Sequence, residues 1–485
     1  MTLPLRHQFV LTTANDPLVF PNHFRQWSLV GFRLATEPSL PVVSLLSGQG
    51  EVLGYIVGWA MLQDKLLTQA ITLPVACASD LAKANSPLET WLYQLAGRWL
   101  AFIVTEDTQR VYMDPLASQS LVYAPASKRL AATPGLMEAK LAPLFSAEQL
   151  INDDCWYPAG CTAYKGVQRL LANHYLDLQS FAAKRHWPLE DTALPVCLNW
   201  QQRLPTIATL MQQQFTACSE AMPVRIGLTA GVDSRVMLAC SQGVQNKVDF
   251  WTRADRSFAS YQDIKTATQL AKKFNLQHQV FQFQPKFALS EDEITQFLSC
   301  TGYAIGGSPL KSSKLIDSVG LCFAFSGVGG AIAKGYYLDK VAENTKQPEL
   351  TLTPETLLSL CGLPYKEPLI AALAHYIKCL PNLPIEQLLA LFYQENRVSA
   401  YSAINRYGFQ SGIVFISPFS HRDIIELMLC IPIAEQRKGA FHQQLIHLAW
   451  PELAAVPANS ALDFIDRCIL FYHRAIRRLK RAFAA

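Results

Sequence analysis

A short turn in the middle of the chain carries residue types that bind phosphate. It runs through Thr229, Gly231, Asp233 and Ser234, between an apolar segment and a segment with helical spacing. Hydroxyl groups such as those of Thr229 and Ser234 donate hydrogen bonds to phosphate oxygens. Gly231 lets a ligand approach the backbone closely, and the helix behind it presents free N–H groups at its positive end. The turn therefore predicts a phosphate site.

The carboxylate in this turn needs a positive partner if phosphate binds there. Asp233 would repel a phosphate directly, so we expect a magnesium ion between them, because Mg²⁺ is held by carboxylates and phosphate oxygens. The turn then predicts a site for the pyrophosphate of a nucleotide, with Mg²⁺. An ordinary strand-to-helix connection with an Asp–Ser N-cap would use the same residues, and the spacing alone does not decide between the two.

The segments around the turn predict what positions it. Strands separated by helical patterns indicate a parallel sheet with helices on both faces. Such sheets bind ligands at the carboxyl ends of their strands, which is where the turn lies. Beyond about residue 350 the pattern is mostly helical. The predicted strands are 223–228, 247–253, 278–283 and 320–327, and the predicted helices among them are 198–221, 234–242 and 261–275.

The first 180 residues have a different pattern. Short apolar runs broken by turns, such as 41–62 and 99–115, predict antiparallel strands and hairpins. One helix is predicted there, at 86–99. We predict an α+β domain of stacked antiparallel sheets over 1–180, a polar linker over 181–198, and an α/β domain with a parallel sheet and a helical carboxyl-terminal part over 199–485.

Several segments resemble the asparagine synthetase family. The segment GLTAGVDSRVMLA, 227–239, resembles the family's Ser-Gly-Gly-x-Asp-Ser pyrophosphatase loop, with Thr229 and Ala230 in place of the Ser and the first Gly. The segment FSGVGGAIAKGYY, 325–337, is similar to its Ser-Gly-Asp-Gly-Gly-Asp-Glu loop, and 416–460 is similar to its late helical part. The likeness covers nearly the whole chain and is weakest before residue 90.

This resemblance implies a fold and an activity. The first domain would be a class II glutamine amidotransferase-like domain with an Ntn-hydrolase-like fold, and the second an adenine nucleotide alpha hydrolase-like domain. The protein would be an ATP-dependent ligase that adenylylates a carboxylate, releases pyrophosphate and passes the acyl group to an amine. The residues that would bind ATP are Leu228, Thr229, Ala230, Gly231, Asp233, Ser234, Trp251, Thr252, Gly327 and Gly329.

The amino-terminal domain departs from the glutamine-hydrolysing members of the family. Those members begin with a cysteine nucleophile, whereas this sequence begins Met1-Thr2 and has its first cysteine at Cys77. We therefore expect no glutaminase activity. Relatives without glutaminase, the β-lactam synthetases and lasso peptide cyclases, use an amine from the substrate itself. The expected substrate is thus a carboxylate of unknown size, up to a peptide.

The glycine loop departs from the family pattern too. The resemblance places acidic residues at Val328, Ala331 and Ile332, and none of the three is acidic here. Asp233 would then share its Mg²⁺ with Asp263, unless Asp263 only places a favourable charge in the first turn of its helix.

Three further residues are candidates for catalysis. Lys334, in the glycine loop, could restore positive charge that the loop has lost. Tyr337 could act as in the lactam-forming relatives or pack below the loop. Lys438 could stabilise the acyl-transfer intermediate or be a solvated surface residue.

Two functions remain open on this basis. One is the ATP-dependent ligase. The other is a catalytically degraded relative that acts as a nucleotide-binding or scaffolding partner. The missing acids favour the second function, whereas retention of Asp233 and Ser234 favours the first.

Composition limits the remaining classes. A net charge of +4 on 485 residues does not favour nucleic-acid binding. Neither a signal peptide nor a membrane-spanning run is recognisable, so a cytoplasmic protein is expected. The 12 cysteines lack metal-ligand spacing and are expected to be reduced core residues. The basic segment 464–485 predicts a helix docked on the body, or one that contacts a membrane surface or a partner. A homodimer is also expected.

Overall fold

The computed structural model describes residues 6–79, 86–152, 155–190, 194–255, 257–282, 290–304, 320–344, 351–408, 412–456, 464 and 466–472. Met1 and Thr2 and most of the basic terminal segment lie outside these ranges. The strands are β1 (Phe9–Thr13), β2 (Arg25–Leu29), β3 (Phe32–Thr36), β4 (Val42–Leu46), β5 (Val52–Leu62), β6 (Lys65–Leu66), β7 (Ile71–Thr72), β8 (Leu95–Val104), β9 (Gln109–Met113), β10 (Val122–Ala124), β11 (Arg129–Ala131), β12 (Gln168–Arg169), β13 (His174–Asp177), β14 (Ala182–Arg185), β15 (Val224–Gly227), β16 (Val248–Ala254), β17 (His278–Gln282), β18 (Cys322–Phe325) and β19 (Ile413–Ile416).

Helices dominate the second half of the chain. The α-helices are α1 (Val75–Ser79), α2 (Pro87–Tyr93), α3 (Ala147–Asn152), α4 (Leu204–Ala221), α5 (Val232–Cys240), α6 (Phe258–Phe274), α7 (Glu291–Cys300), α8 (Tyr336–Asn344), α9 (Pro354–Cys361), α10 (Glu367–Lys378), α11 (Ile385–Phe392), α12 (Arg422–Cys430), α13 (Ile433–Arg437), α14 (Ala440–Ala449) and α15 (Pro451–Ala454). A π-helical segment, Tyr393–Ser402, continues α11. None of the helices in the described ranges combines the length and apolarity needed to span a bilayer.

The amino-terminal part forms two sheets. The first has the order β12-β10-β11-β1-β3-β2 and is antiparallel throughout. The second has the order β14-β13-β9-β8-β5-β4-β7 and is mixed, because β4 and β7 run parallel. The predicted antiparallel strands and hairpins are therefore present, with one parallel pair added.

A shared core holds these two sheets face to face. Alternate side chains of a strand point to opposite faces, so Val57 and Met61 of β5 join Phe9 of β1 in one core. Their neighbours Ile56 and Ala60 pack instead in a second cluster with residues of α2. The rings of Phe9 and Phe102 meet edge to face across the gap, with centroids 6.2 Å apart.

The carboxyl-terminal part is built on a five-stranded sheet in the order β17-β16-β15-β18-β19, and every pair in it is parallel. Helix α4 packs on this sheet, with the rings of Phe215 and Phe325 4.1 Å apart. The chain moves outward in one direction from β15 to β17 and in the other from β18 to β19. The strand order therefore reverses between β15 and β18, and a crevice forms at the carboxyl ends of such a pair.

Three expectations from the sequence need correction. The segment expected to be a helix over 86–99 is helix only to Tyr93, and β8 starts at Leu95. The mostly helical region beyond 350 contains a fifth parallel strand, β19, whose four apolar residues are too short a run to separate from helix by periodicity. The expected linker contributes β14, which is polar because it is a largely exposed edge strand.

Strand β14 ties the two halves of the chain together through a buried ion pair. Glu395, in the π-helical segment, is fully buried and receives Arg185 Nη2 at 2.9 Å, with a second guanidinium bond beside it. Asn173 and the Tyr376 hydroxyl also donate to this carboxylate, each at 2.8 Å. Burial would raise the pKa of Glu395, but the charge and hydrogen bonds of Arg185 hold it below its usual value.

We predict that Arg185→Met lowers the free energy of unfolding by about 3–5 kcal/mol, because it strands a buried carboxylate. The neighbouring Lys184 is a matched control, since it pairs with Asp177 at 2.9 Å but is 51% exposed. Lys184→Met should cost about 0–1 kcal/mol. Chemical denaturation at neutral pH measures both values. Equal losses in the two variants would contradict a structural role for the buried pair.

Candidate functional site

The predicted phosphate turn lies at the carboxyl end of β15. It leads into α5, whose N-cap is Gly231 with no side-chain capping bond, so the alternative of an Asp–Ser N-cap is not formed. Asp233 and Ser234 instead sit in the first turn of the helix. The first N–H groups of a helix have no acceptor within the helix, so the first turn of α5 has donors that suit an anion.

The two hydroxyls of the turn hold its shape. Ser234 Oγ lies 2.9 Å from Thr229 Oγ1 and 2.9 Å from the carbonyl oxygen of Gly231, and Ser234 is buried. Thr229 Oγ1 accepts the N–H of Gly231 at 3.1 Å. These residues were expected to donate to phosphate. The structure shows them bonding each other, so they fix the backbone that would contact a ligand.

Asp263 meets the same turn from α6. Its Oδ1 accepts the N–H of Ala230 at 2.8 Å. Burial raises the pKa of Asp263, and the bond from Ala230 opposes that rise. The carboxylate is thus a support for the turn, which differs from both its expected metal role and a simple first-turn acid.

The glycine loop after β18 forms the opposite wall of the crevice. A side chain at Gly327 would place its Cβ 2.8 Å from the Asp233 Cβ, and one at Gly330 would lie 3.1 Å from Asp233 Oδ1. Gly329 has a φ of +97° and lies against Leu116 of the amino-terminal domain, where a Cβ would come within 2.9 Å. Glycine is needed here because the two walls and the other domain meet at this point.

An ion pair bridges the two walls. Lys334 Nζ, from the glycine loop, lies 2.7 Å from Asp233 Oδ1, and both side chains are about one-third exposed. His442, fully buried on α14, places Nε2 3.1 Å from the same oxygen. The two atoms are close, but neither His442 Nε2 nor Asp233 Oδ1 makes an aligned hydrogen bond.

The charges in this cluster balance. Burial would raise the pKa of Asp233, but its contacts with His442 and Lys334 hold it below its usual value. Burial lowers the pKa of His442, and Asp233 only partly offsets this. At neutral pH we therefore assign an ionised Asp233, a neutral His442 and a positive charge on Lys334.

The residues expected to hold Mg²⁺ do not form a site for it. At nucleotide sites Mg²⁺ is held in octahedral geometry by one or two free carboxylates together with phosphate oxygens and water. Asp233 already faces a lysine, and Asp263 accepts a backbone N–H. In the described part of the chain, no group of three or more His, Cys, Asp or Glu side chains is suited to a metal ion. The donor set thus does not fit the predicted two-carboxylate magnesium site.

The end of β16 flanks the turn on its other side. Trp251 pairs in register with Gly227 and lines a cavity of about 230 Å³. Thr252 donates to the carbonyl oxygen of Leu228 at 2.7 Å and therefore accepts from His278 Nε2 at 2.8 Å. Leu228, Trp251 and Thr252 are thus brought together as expected, although the Thr252 hydroxyl is engaged by the protein.

Two candidate catalytic residues lie in other surroundings. The Tyr337 hydroxyl is 3.4 Å from Cys361 Sγ in a core that includes Phe392, and burial raises its pKa. That position suits packing below the loop. Lys438 is 69% exposed and pairs with Glu435 at 2.8 Å, which suits the solvated alternative.

Sequence reasoning missed His442. Within the segment 416–460, the resemblance assigns a candidate role to Lys438 and none to this histidine. Its neighbours Phe441, Leu445 and Ile446 are buried, so His442 lies on the apolar stripe of α14. A polar ring in the middle of such a stripe is the signal that could have identified it, because a buried polar group needs a partner.

Comparisons with known proteins add little to this description. No protein-family model matches the sequence, and no curated protein matches it. One solved structure that it resembles is a U34-tRNA thiolase from Methanococcus maripaludis with its 4Fe–4S cluster. The identity is 14%, the match covers 44% of this chain and 80% of that chain, and the TM-score is 0.21. A likeness at that level establishes neither fold nor function.

We predict that Asp233→Asn lowers the pKa of His442 further below 6.5, because the carboxylate opposes the effect of burial. NMR titration of the histidine ring protons measures the shift, and a His442→Gln spectrum assigns the signal. A pKa that stays the same or rises in Asp233→Asn would show that the two side chains do not interact in solution.

Proposed function

We propose that the protein binds ATP in the crevice between β15 and β18 and uses it to adenylylate a carboxylate, which an amine then attacks. This is the activity of the asparagine synthetase type without glutaminase, on an adenine nucleotide alpha hydrolase-like domain. The observation that carries the proposal is the meeting of the 229–234 turn with the glycine loop at the point where the strand order reverses. Open parallel sheets bind their ligands at that point.

The crevice has donors suited to the phosphates. The first N–H groups of α5 have no acceptor within the helix, and Lys334 supplies an ammonium from the opposite wall. The base would lie against Trp251, which pairs in register with Gly227 just before the turn. An aromatic face provides stacking area for a purine.

The proposed reaction has two steps. The substrate carboxylate attacks the α-phosphorus of ATP, the bond to the β-phosphate breaks, and pyrophosphate leaves. The amine then attacks the acyl carbon and AMP leaves. Charge develops on pyrophosphate in the first step, and a positioned cation such as Lys334 stabilises that charge.

A second candidate is a nucleotide-binding partner without catalysis. It is favoured by one observation, the close packing of the glycine loop on Asp233. In this candidate the two loops would separate to admit a nucleotide, and the Asp233–Lys334 ion pair would change when the nucleotide binds. A screen of carboxylates and amines for pyrophosphate release distinguishes the two functions. Only the ligase releases pyrophosphate and AMP in equal amounts.

We predict that Gly327→Ala weakens ATP binding on the order of 10-fold or more, because the new methyl group displaces Asp233 and with it the turn. Gly243→Ala is the matched control, since a Cβ at that position meets nothing within 4 Å. Calorimetric titration with ATP measures both variants. Equal affinities in the two would place the nucleotide site elsewhere.

A further inference from the structure

We infer that Lys334 takes the place of a divalent cation in this protein, so that the crevice binds nucleotide phosphates without metal. The inference rests on the proposed nucleotide site and specifies how that site neutralises charge. The observation behind it is that the ammonium of Lys334 lies 2.7 Å from Asp233 Oδ1, where the sequence led us to expect Mg²⁺.

The charge balance argues for this substitution. Asp233 is the carboxylate that the glycine loop faces, and Lys334 compensates it with one positive charge. A metal ion entering here would have to displace an ammonium from a partly buried pair and would meet one carboxylate only. Its remaining ligands would have to come from phosphate oxygens and water.

The positions of the backbone also argue for it. Lys334 ends the short 3₁₀ segment Gly330–Lys334, and Gly335 follows it in the left-handed conformation with a φ of +62°. The ammonium therefore crosses from one wall of the crevice to the other. In the proposed complex a phosphate between the walls would meet Lys334 and the first turn of α5 together.

His442 completes the arrangement. It is fully buried and holds the other side of Asp233 Oδ1 at 3.1 Å. When Lys334 turns toward a phosphate, the buried ring of His442 stays beside Asp233 Oδ1. The cluster thus has a positive group that can move to the ligand and a fixed group that stays behind.

The test is calorimetric titration of the whole chain with ATP, and separately with inorganic pyrophosphate, in EDTA and in excess Mg²⁺. We expect binding in EDTA, with an affinity that Mg²⁺ does not improve. Lys334→Met should lose roughly 10- to 100-fold in affinity in EDTA, the effect of removing one charge-assisted bond. Lys334→Arg keeps the charge and should retain most of the binding. Lys184→Met removes the same charge from an exposed position outside the crevice and should bind like the native protein.

A charge-reversal variant at Lys334 provides a second test. Lys334→Glu sets a second carboxylate beside Asp233, so it should abolish binding in EDTA and restore part of it when Mg²⁺ is added. Binding by the native protein that requires Mg²⁺ and is unaffected by Lys334→Met would overturn the inference while leaving the nucleotide site intact. Absence of binding under both conditions would overturn the nucleotide site and the inference together. Thermal melting of each variant separates loss of binding from loss of folding.

Discussion

The ion pair between Asp233 and Lys334 is the interaction on which this account depends. It joins the two loops that leave β15 and β18, at the place where the strand order of the parallel sheet reverses. Without it, a half-buried carboxylate would face two glycines and a neutral imidazole, with no positive charge to offset its loss of water. The pair joins the two walls in this structure, and it keeps a cation at the point where phosphates would enter.

The amino-terminal domain supports this crevice directly. Asp114, buried after β9, accepts the N–H groups of Leu116 and Ser118, each at 3.1 Å, and the hydroxyl of Ser420 at 3.0 Å. Burial raises the pKa of Asp114, and these bonds act against that rise. The turn they form presents Leu116 to the glycine loop. A domain for which we expect no glutaminase activity therefore still shapes the proposed nucleotide site.

The sequence predicted the parallel sheet and its turn because strands and helices alternate there with clear periods. It also predicted that Asp233, Ser234 and the glycine loop would act together, because the two segments resemble two loops of one family in the same order along the chain. It did not predict β19, which is too short to distinguish from helix, or β14, whose exposed edge position makes it polar. The contacts of Lys334 and His442 with Asp233 could not be predicted from the sequence. Lys334 lies about 100 positions after Asp233 in the chain and His442 about 200, and only tertiary packing brings them together.

The most direct test of the central claim is a crystal structure of the whole protein with ATP in the absence of divalent cations. The account predicts phosphate density between the first turn of α5 and Lys334, with the ammonium turned from Asp233 to a phosphate oxygen. It predicts the base beside Trp251. Nucleotide density at another place on the protein, or an undisturbed Asp233–Lys334 pair at saturating ATP, would contradict the account.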